Sequence, residues 1–215
     1  GVIMKKYLEQ LPCEIQEFIS LAGQVASLRG MAVYLVGGFV RDLILGVKNL
    51  DLDIVVEGDG IVFAEDLASR LRIRLIRHRR FGTAAVILGY HLKIDIATAR
   101  KEIYPEPAQL PLVEFGSLKD DLKRRDFTIN AMAIDINQPN FGRLLDFFGG
   151  KSDLKNKKVR ILHDLSFIDD PTRIFRAIRF EKRYNFKIEA KTLRLLKNAL
   201  KNKMLEIVEP QRLRD

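Results

Sequence analysis

Apolar positions recur at helical spacing from Cys13 to Arg29, at Ile15, Phe18, Ile19, Leu21, Ala22, Val25 and Ala26, and the run closes at Gly30. That period turns one face of an α-helix toward a core, and glycine tolerates the left-handed step that ends a helix. A short apolar run over Ala32 to Val36 then meets Gly37-Gly38, after which Val40, Leu43, Ile44 and Leu45 trace a second helical face ending at Gly46. The pattern predicts strand, glycine turn, helix. Further along it predicts a strand over 51–56, a helix over 60–71, and two strands over 84–88 and 91–97 joined by a Gly89-Tyr90 turn. The front of the chain reads as α/β.

Residues 104–115 carry three prolines and little periodicity, which predicts a loop long enough to be functional. A helix is expected over 126–133 with Asp126 as its N-cap. Beyond Gly149-Gly150 the pattern becomes helical, most clearly over 171–184 and 190–204. The expected organisation is an α/β domain over residues 1–148 and a helical one over 149–215, with no internal repeat.

With 215 residues, 47% of them hydrophobic, the chain can bury a core in each part. No apolar run reaches 18 residues and the N-terminus lacks the pattern of a signal peptide, so a cytoplasmic protein that does not cross a membrane is expected. The single cysteine, Cys13, and three scattered histidines give no zinc-type spacing. Met4 follows three residues that read as the cut edge of a longer protein. The net charge of +9 is unevenly placed: residues 1–150 hold 19 basic and 19 acidic side chains, residues 151–215 hold 18 and 9. A neutral front and a basic back suggest chemistry in the first and a polyanion, nucleic acid above all, on the second.

The candidate chemistry lies between residues 37 and 53. Paired glycines between a strand and a helix let backbone N–H groups approach a phosphate, and the helix N-terminus adds favourable polarity. Asp51 and Asp53 stand two apart on the next strand, so both carboxylates share a face while Leu52 and Ile54 turn to the core. Two such carboxylates can bridge two Mg²⁺ ions about 4 Å apart, as used to activate a 3′-hydroxyl and stabilise a leaving pyrophosphate. Taken singly, an Asp-x-Asp is more often a solvated strand face and a Gly-Gly pair only a turn. Their proximity favours the functional reading.

The string LVGGFVRDLILG at 35–46, followed by DLD at 51–53, resembles the first motif of class II tRNA nucleotidyltransferases (CCA-adding enzymes) and bacterial poly(A) polymerases. The resemblance continues in KRRDFTINAM at 123–132, in Asp146 with Gly149, Gly150, Asp153 and Leu154, and in DDPTRIFR at 169–176, where the family usually has Glu in place of Asp169. It implies a polymerase-β-like nucleotidyltransferase head, a mixed sheet with helices, followed by a helical neck.

The resemblance also implies roles. Asp51 and Asp53, with Asp95 as a third carboxylate if its strand lies beside theirs, would be catalytic and hold two Mg²⁺ ions. Gly37, Gly38, Arg41, Arg124, Arg125, Asp126, Asn130 and Arg176 would bind the nucleotide, the first two of these arginines after Arg41 at its phosphates and Asp126 with Asn130 at its ribose. Asp170 and Arg173 would read the base: cytosine and adenine share an amine donor beside a ring-nitrogen acceptor, which a carboxylate and a guanidinium together can recognise. Read without the family, the same pair is a helix cap and a neighbouring arginine. Arg179 and Arg183, on one helix face with Arg173 and Arg176, would hold RNA.

The implied partners are ATP and/or CTP, the 3′ end of tRNA or another RNA, and helical body domains, since residues 209–215 resemble only the opening of the family's last motif. The loop over 102–114 matches in position a flexible loop that CCA-completing members of the family retain and CC-only members shorten, so the resemblance implies an enzyme that does not add C alone. CCA addition, A addition and poly(A) tailing remain open at this point. So do a binding module without turnover and a small-molecule nucleotidyltransferase, although the latter has no need of an arginine-faced helix.

Overall fold

The computed structural model describes residues 2–103, 105–108 and 112–202. It opens with a short helix α1 (Lys5–Leu8) and the long α2 (Cys13–Arg29), closed by Gly30 at φ 64°. Strand β1 (Ala32–Val36) leads through the Gly37 turn into α3 (Gly38–Leu45). There follow β2 (Asp53–Glu57), α4 (Gly60–Leu71), β3 (Arg74–His78), β4 (Thr83–Leu88) and β5 (Leu92–Thr98). A separate hairpin, β6 (Arg100–Ile103) with β7 (Leu112–Phe115), precedes α5 (Leu118–Lys123), β8 (Ala133–Asp135) and β9 (Leu144–Leu145).

The main sheet has the order β3-β4-β5-β2-β1-β8-β9. It is mixed: β2 runs parallel to β5 and antiparallel to β1. Alternate residues go to opposite faces. Ile54, Val56, Ile94, Ile96, Ala84 and Val86 share a core with Phe18 of α2 and Phe63 of α4. On the other face Val36, Val55, Ala99 and Ala133 pack with Leu118 and Leu122 of α5. Asp53 has the parity of Val55 and so emerges on the α5 face.

The remaining elements are α6 (Gly150–Lys155), β10 (Lys158–Val159), α7 (Ser166–Asp169), α8 (Thr172–Tyr184), β11 (Lys187–Ile188) and α9 (Ala190–Lys201). Along α8, Ile174, Ala177 and Phe180 are buried while Arg179 and Arg183 are exposed, as the 3.6-residue period requires. One apolar cluster runs from Met4 to Ala199, so the helical part shares its core with the sheet. Among the described residues no helix is long and apolar enough to cross a membrane.

Three expectations are corrected. The strand over 51–56 begins at Asp53, leaving Asp51 in the preceding loop. The helix over 126–133 is absent: a 3₁₀ turn at Thr128–Asn130 passes directly into β8. Phe127, Ile129, Ala131, Met132, Ala133 and Ile134 are all buried, and β8 satisfies its backbone by pairing with β1. The helix of this region lies earlier, at α5, with Ser117 and Asp120 forming a capping box. Finally, the expected loop over 104–115 includes β7. Residues 209–215 and the end of the helix expected over 190–204 lie outside the described residues.

Candidate active site

Gly37 sits at φ 78°, ψ −145° between β1 and α3, a backbone conformation that a side chain strains. A Cβ there would lie 3.1 Å from Arg125 Nη1 and 3.8 Å from Asp53 Oδ2. The glycine turn is thus the point where Asp53 and Arg125 converge.

Asp53 is the register partner of Asp95 across the parallel β2–β5 pair, so both side chains leave the same face. Burial, opposed in part by Arg125 and reinforced by the charges of Asp95 and Asp51, pushes the Asp53 carboxyl up to about 6. Asp51 is exposed, and its loop is tied down behind it: Asn49 Oδ1 accepts from the Asp51 N–H at 2.8 Å, and Asn49 Nδ2 donates to Asp42 Oδ2 at 2.9 Å. Asp95 is exposed too, with Lys93 Nζ 3.8 Å away.

Among the described residues, no group of three or more acidic, histidine or cysteine side chains is gathered as a metal cage. The donor set still fits a divalent cation. Mg²⁺ commonly takes one or two carboxylates and completes its shell with water and substrate phosphate. A carboxyl made hard to ionise by burial, and further by like charges, gains from a cation at that spot.

Beside the carboxylates lies a cavity of about 430 Å³ lined by six arginines, Arg41, Arg100, Arg124, Arg125, Arg173 and Arg176, together with Gly38, Glu102, Asp126, Asn130 and Asp170. Asp121, fully buried, organises part of this charge: it accepts from the Arg100 N–H at 3.1 Å, Arg124 Nη2 at 3.3 Å and Arg125 Nη2 at 3.2 Å. The Nε groups of Arg125 and Arg173 are buried with no hydrogen-bond partner among the described residues. Buried donors lacking acceptors in a positively charged cavity suit an anionic ligand.

The structure brings most of the predicted nucleotide-binding residues into this cavity but leaves several engaged with protein. Arg41 donates through Nη1 to Asn130 Oδ1 at 2.6 Å, through Nη2 to the Tyr184 hydroxyl at 3.1 Å and through Nε to Asp42 at 2.9 Å. Its guanidinium also lies 5.0 Å from the Tyr184 ring and 5.2 Å from that of Phe180, which stack on each other at 4.3 Å. Asp126 is held by two bonds from Arg176 and has Arg173 Nε in ion-pair range at 3.5 Å.

Asp170 accepts from the Thr172 N–H at 3.2 Å and from its hydroxyl at 2.5 Å, the cap that the sequence allowed as the alternative, and Arg176 Nη2 lies at 3.3 Å. Arg173 is 3% exposed and donates to the carbonyls of Ser166 at 3.1 Å and Arg124 at 2.7 Å. Asp169 stands 3.8 Å from His163, and burial pushes that imidazole below its ordinary range and the carboxyl above its own. Arg179 and Arg183 line a smaller cavity of about 190 Å³ with Phe180 and Tyr184.

Sequence reasoning missed Asp42, Asn49, Asp121 and Tyr184. Asp121 carried one legible signal, its position four residues before Arg125 on a helical stretch.

The profile of the Poly A polymerase head domain family matches residues 33–160. The chain is 51% identical over 191 residues to the A-adding tRNA nucleotidyltransferase of Geobacter sulfurreducens, covering 89% of this chain and 22% of that protein. Among solved structures it resembles the apo form II of a CCA-adding enzyme, with a TM-score of 0.95 and 53% identity over 99% of this chain and 50% of that one. It also resembles the Thermotoga maritima CCA-adding enzyme complexed with tRNA, with a TM-score of 0.88 and 49% identity over 99% and 48% of the two chains. The chain therefore spans between about a fifth and about half of the length of these relatives.

Proposed function

The chain belongs to the poly(A) polymerase head domain family, and on that premise we propose that it is the catalytic part of a tRNA nucleotidyltransferase adding A, or C and A, to an RNA 3′ end. The observation that carries the reading is the arginine-lined cavity with its unsatisfied buried Nε groups, joined through Arg125 to Asp53 at the Gly37 turn. The names of the relatives support the substrate class. The head would occupy residues 1–148 and the neck the rest of the chain.

Asp51 and Asp53, with Asp95 on the same face, are the residues that would hold Mg²⁺. Bound there, the metal supplies activation of the primer 3′-hydroxyl and charge neutralisation on the leaving pyrophosphate. Arg124 and Arg125, fixed by Asp121, present donors to the triphosphate, and the open backbone at Gly37-Gly38 lets it approach closely. Asn130, already bonded to Arg41, would meet the ribose. Asp170 and Arg173 would read the amine and ring nitrogen of A or C, an amine replacing Arg176 at the Asp170 carboxylate.

The reaction joins the 3′-oxygen to the α-phosphorus of the incoming nucleotide, breaks the bond to the β-phosphate oxygen, and releases pyrophosphate and the hydroxyl proton. The test is a product ladder: the protein and Mg²⁺ with tRNA lacking CCA, with tRNA ending in CC, or with oligo(A), and each NTP singly. One A on the CC-ending primer marks A addition, stepwise C, C, A marks CCA addition, and long tails on oligo(A) mark a poly(A) polymerase. No extension of any primer would overturn the reading.

A further inference from the structure

Residues 1–150 are neutral as a whole, yet six arginines crowd positions 70–80 with no acid among them. Two are neutralised locally, Arg70 by Asp66 at 2.8 Å and Arg77 by Glu65 at 3.4 Å. Arg74, on the edge strand β3, and Arg79 and Arg80, in the 3₁₀ turn after it, are exposed and make no ion pair among the described residues. Phe81 closes that turn 64% exposed, with the Arg80 guanidinium 5.7 Å from its ring.

The register places this cluster relative to the carboxylates. Asp53, Asp95, Ala85 and Ile76 form one row across β2, β5, β4 and β3, so all four side chains share a face. Arg74 and His78, two residues either side of Ile76, are on that face as well. Arg77 is on the other, where it meets Glu65 of α4. At about 4.8 Å per strand, β3 runs about 10 Å from the strand of Asp95. Charges on an edge strand are commonly a guard against edge-to-edge pairing. That accounts for Arg74, but Arg79, Arg80 and the exposed Phe81 lie past the end of the strand.

We propose that this basic edge is an RNA-binding surface, on which Arg74, Arg79 and Arg80 take phosphates and Phe81 stacks an unpaired base. Clustered cations interleaved with an exposed ring are the features that hold single-stranded nucleic acid without reading its sequence. The inference rests on the proposed function in taking RNA as the ligand, but it adds a contact in the head, of which Arg74 shares the sheet face of Asp53 and Asp95. The primer would then be gripped on both sides of the carboxylates, by this edge and by the arginines of α8.

The test measures binding of a fluorescent tRNA transcript ending in CC to the full chain at several salt concentrations. It compares wild type, the triple variant Arg74→Ala, Arg79→Ala, Arg80→Ala, the single variant Phe81→Ala, and a neck variant with Arg179→Ala and Arg183→Ala. The triple variant should bind about tenfold or more weakly near 0.1 M salt, with a salt dependence shallower by about 2 in log–log slope, since each lost phosphate contact removes roughly 0.7–0.9. Phe81→Ala should weaken binding by about fivefold or more with the slope unchanged.

All four side chains are exposed, so melting temperatures should match wild type and exclude misfolding as the cause. Wild-type affinity and slope in the triple variant, with weakened binding in the neck variant, would overturn this surface and leave the proposed function standing. An effect of the triple variant on polyglutamate binding and not on RNA would overturn it in favour of an acidic protein partner. A wild-type chain that neither binds nor extends tRNA would remove the premise, and this inference with it.

Discussion

Asp53 and Asp95 are register partners on adjacent parallel strands, and burial, with the charge of Asp95 added to it, keeps Asp53 from ionising until about pH 6. A carboxyl harder to ionise in the folded than in the unfolded chain binds its proton more tightly when folded. Its contribution to stability is therefore complete below the unfolded value near 3.8 and is lost as pH rises through about 6. Without metal, Asp53→Asn should raise the melting temperature at pH 7–8, and the advantage should shrink toward pH 4. Thermal melts in EDTA across that range check it. A pH-independent difference would show that Asp53 titrates normally.

The same carboxylates give the catalytic prediction. Asp51→Ala and Asp53→Ala should each lower nucleotide incorporation by at least about a hundredfold, or roughly 2.7 kcal/mol of barrier, while the fold persists. Single-nucleotide extension with excess Mg²⁺ is the measurement. Activity within tenfold of wild type in both variants would remove the metal-holding role.

Arg173→Ala is expected to do two things, because its guanidinium both lines the cavity and ties α8 to the Arg124 carbonyl. Leaving the Arg124 carbonyl unpaired, and the Ser166 carbonyl with the Asp170 N–H as its remaining donor, should cost about 1–3 kcal/mol. Loss of the base contact should raise misincorporation of G and U by roughly tenfold to a hundredfold. Asp170→Asn, which keeps an oxygen for Thr172, should show the fidelity loss with a smaller stability loss. Competition among four NTPs, run well below the melting temperature, separates the effects. Unchanged preference for A and C in both variants would reduce the pair to a helix cap and a strut.

Two neighbouring glycines should behave differently. A Cβ at Gly150 would meet the Thr128 carbonyl oxygen at 2.2 Å, forcing α6 away from the turn that carries Asn130, whereas at Gly149 nothing lies within 4 Å and only the φ of 76° resists. Gly150→Ala should cost about 2–3 kcal/mol and Gly149→Ala about 1 kcal/mol. Denaturant titration of both tells them apart. Equal losses would mean that α6 shifts freely.

What the sequence determined by itself was local. The period of α2, the glycine turn after β1 and the alternation that sets Asp53 opposite Ile54 are local, so pattern alone exposes them, whereas on α8 the period placed Phe175 inside and Arg173 outside and packing reversed both. The motif strings added the family and its polymerase-β-like head, which the profile over residues 33–160 then supported. Pattern failed at 126–133, where a run buried on all sides has no period to read, and at β3, whose arginines mask an edge strand.

Only the tertiary structure decided which distant groups meet. Asp95 comes beside Asp53 because β5 pairs in parallel with β2, and the Arg173 guanidinium reaches a carbonyl 49 residues away because α8 packs across the head. Asp121 is buried where it accepts from the arginines around it. Hydrogen bonds and burial of that kind depend on positions in space, and a charge count along the chain averages over them. The same averaging that made residues 1–150 neutral concealed the arginines along the β3 edge and the turn after it.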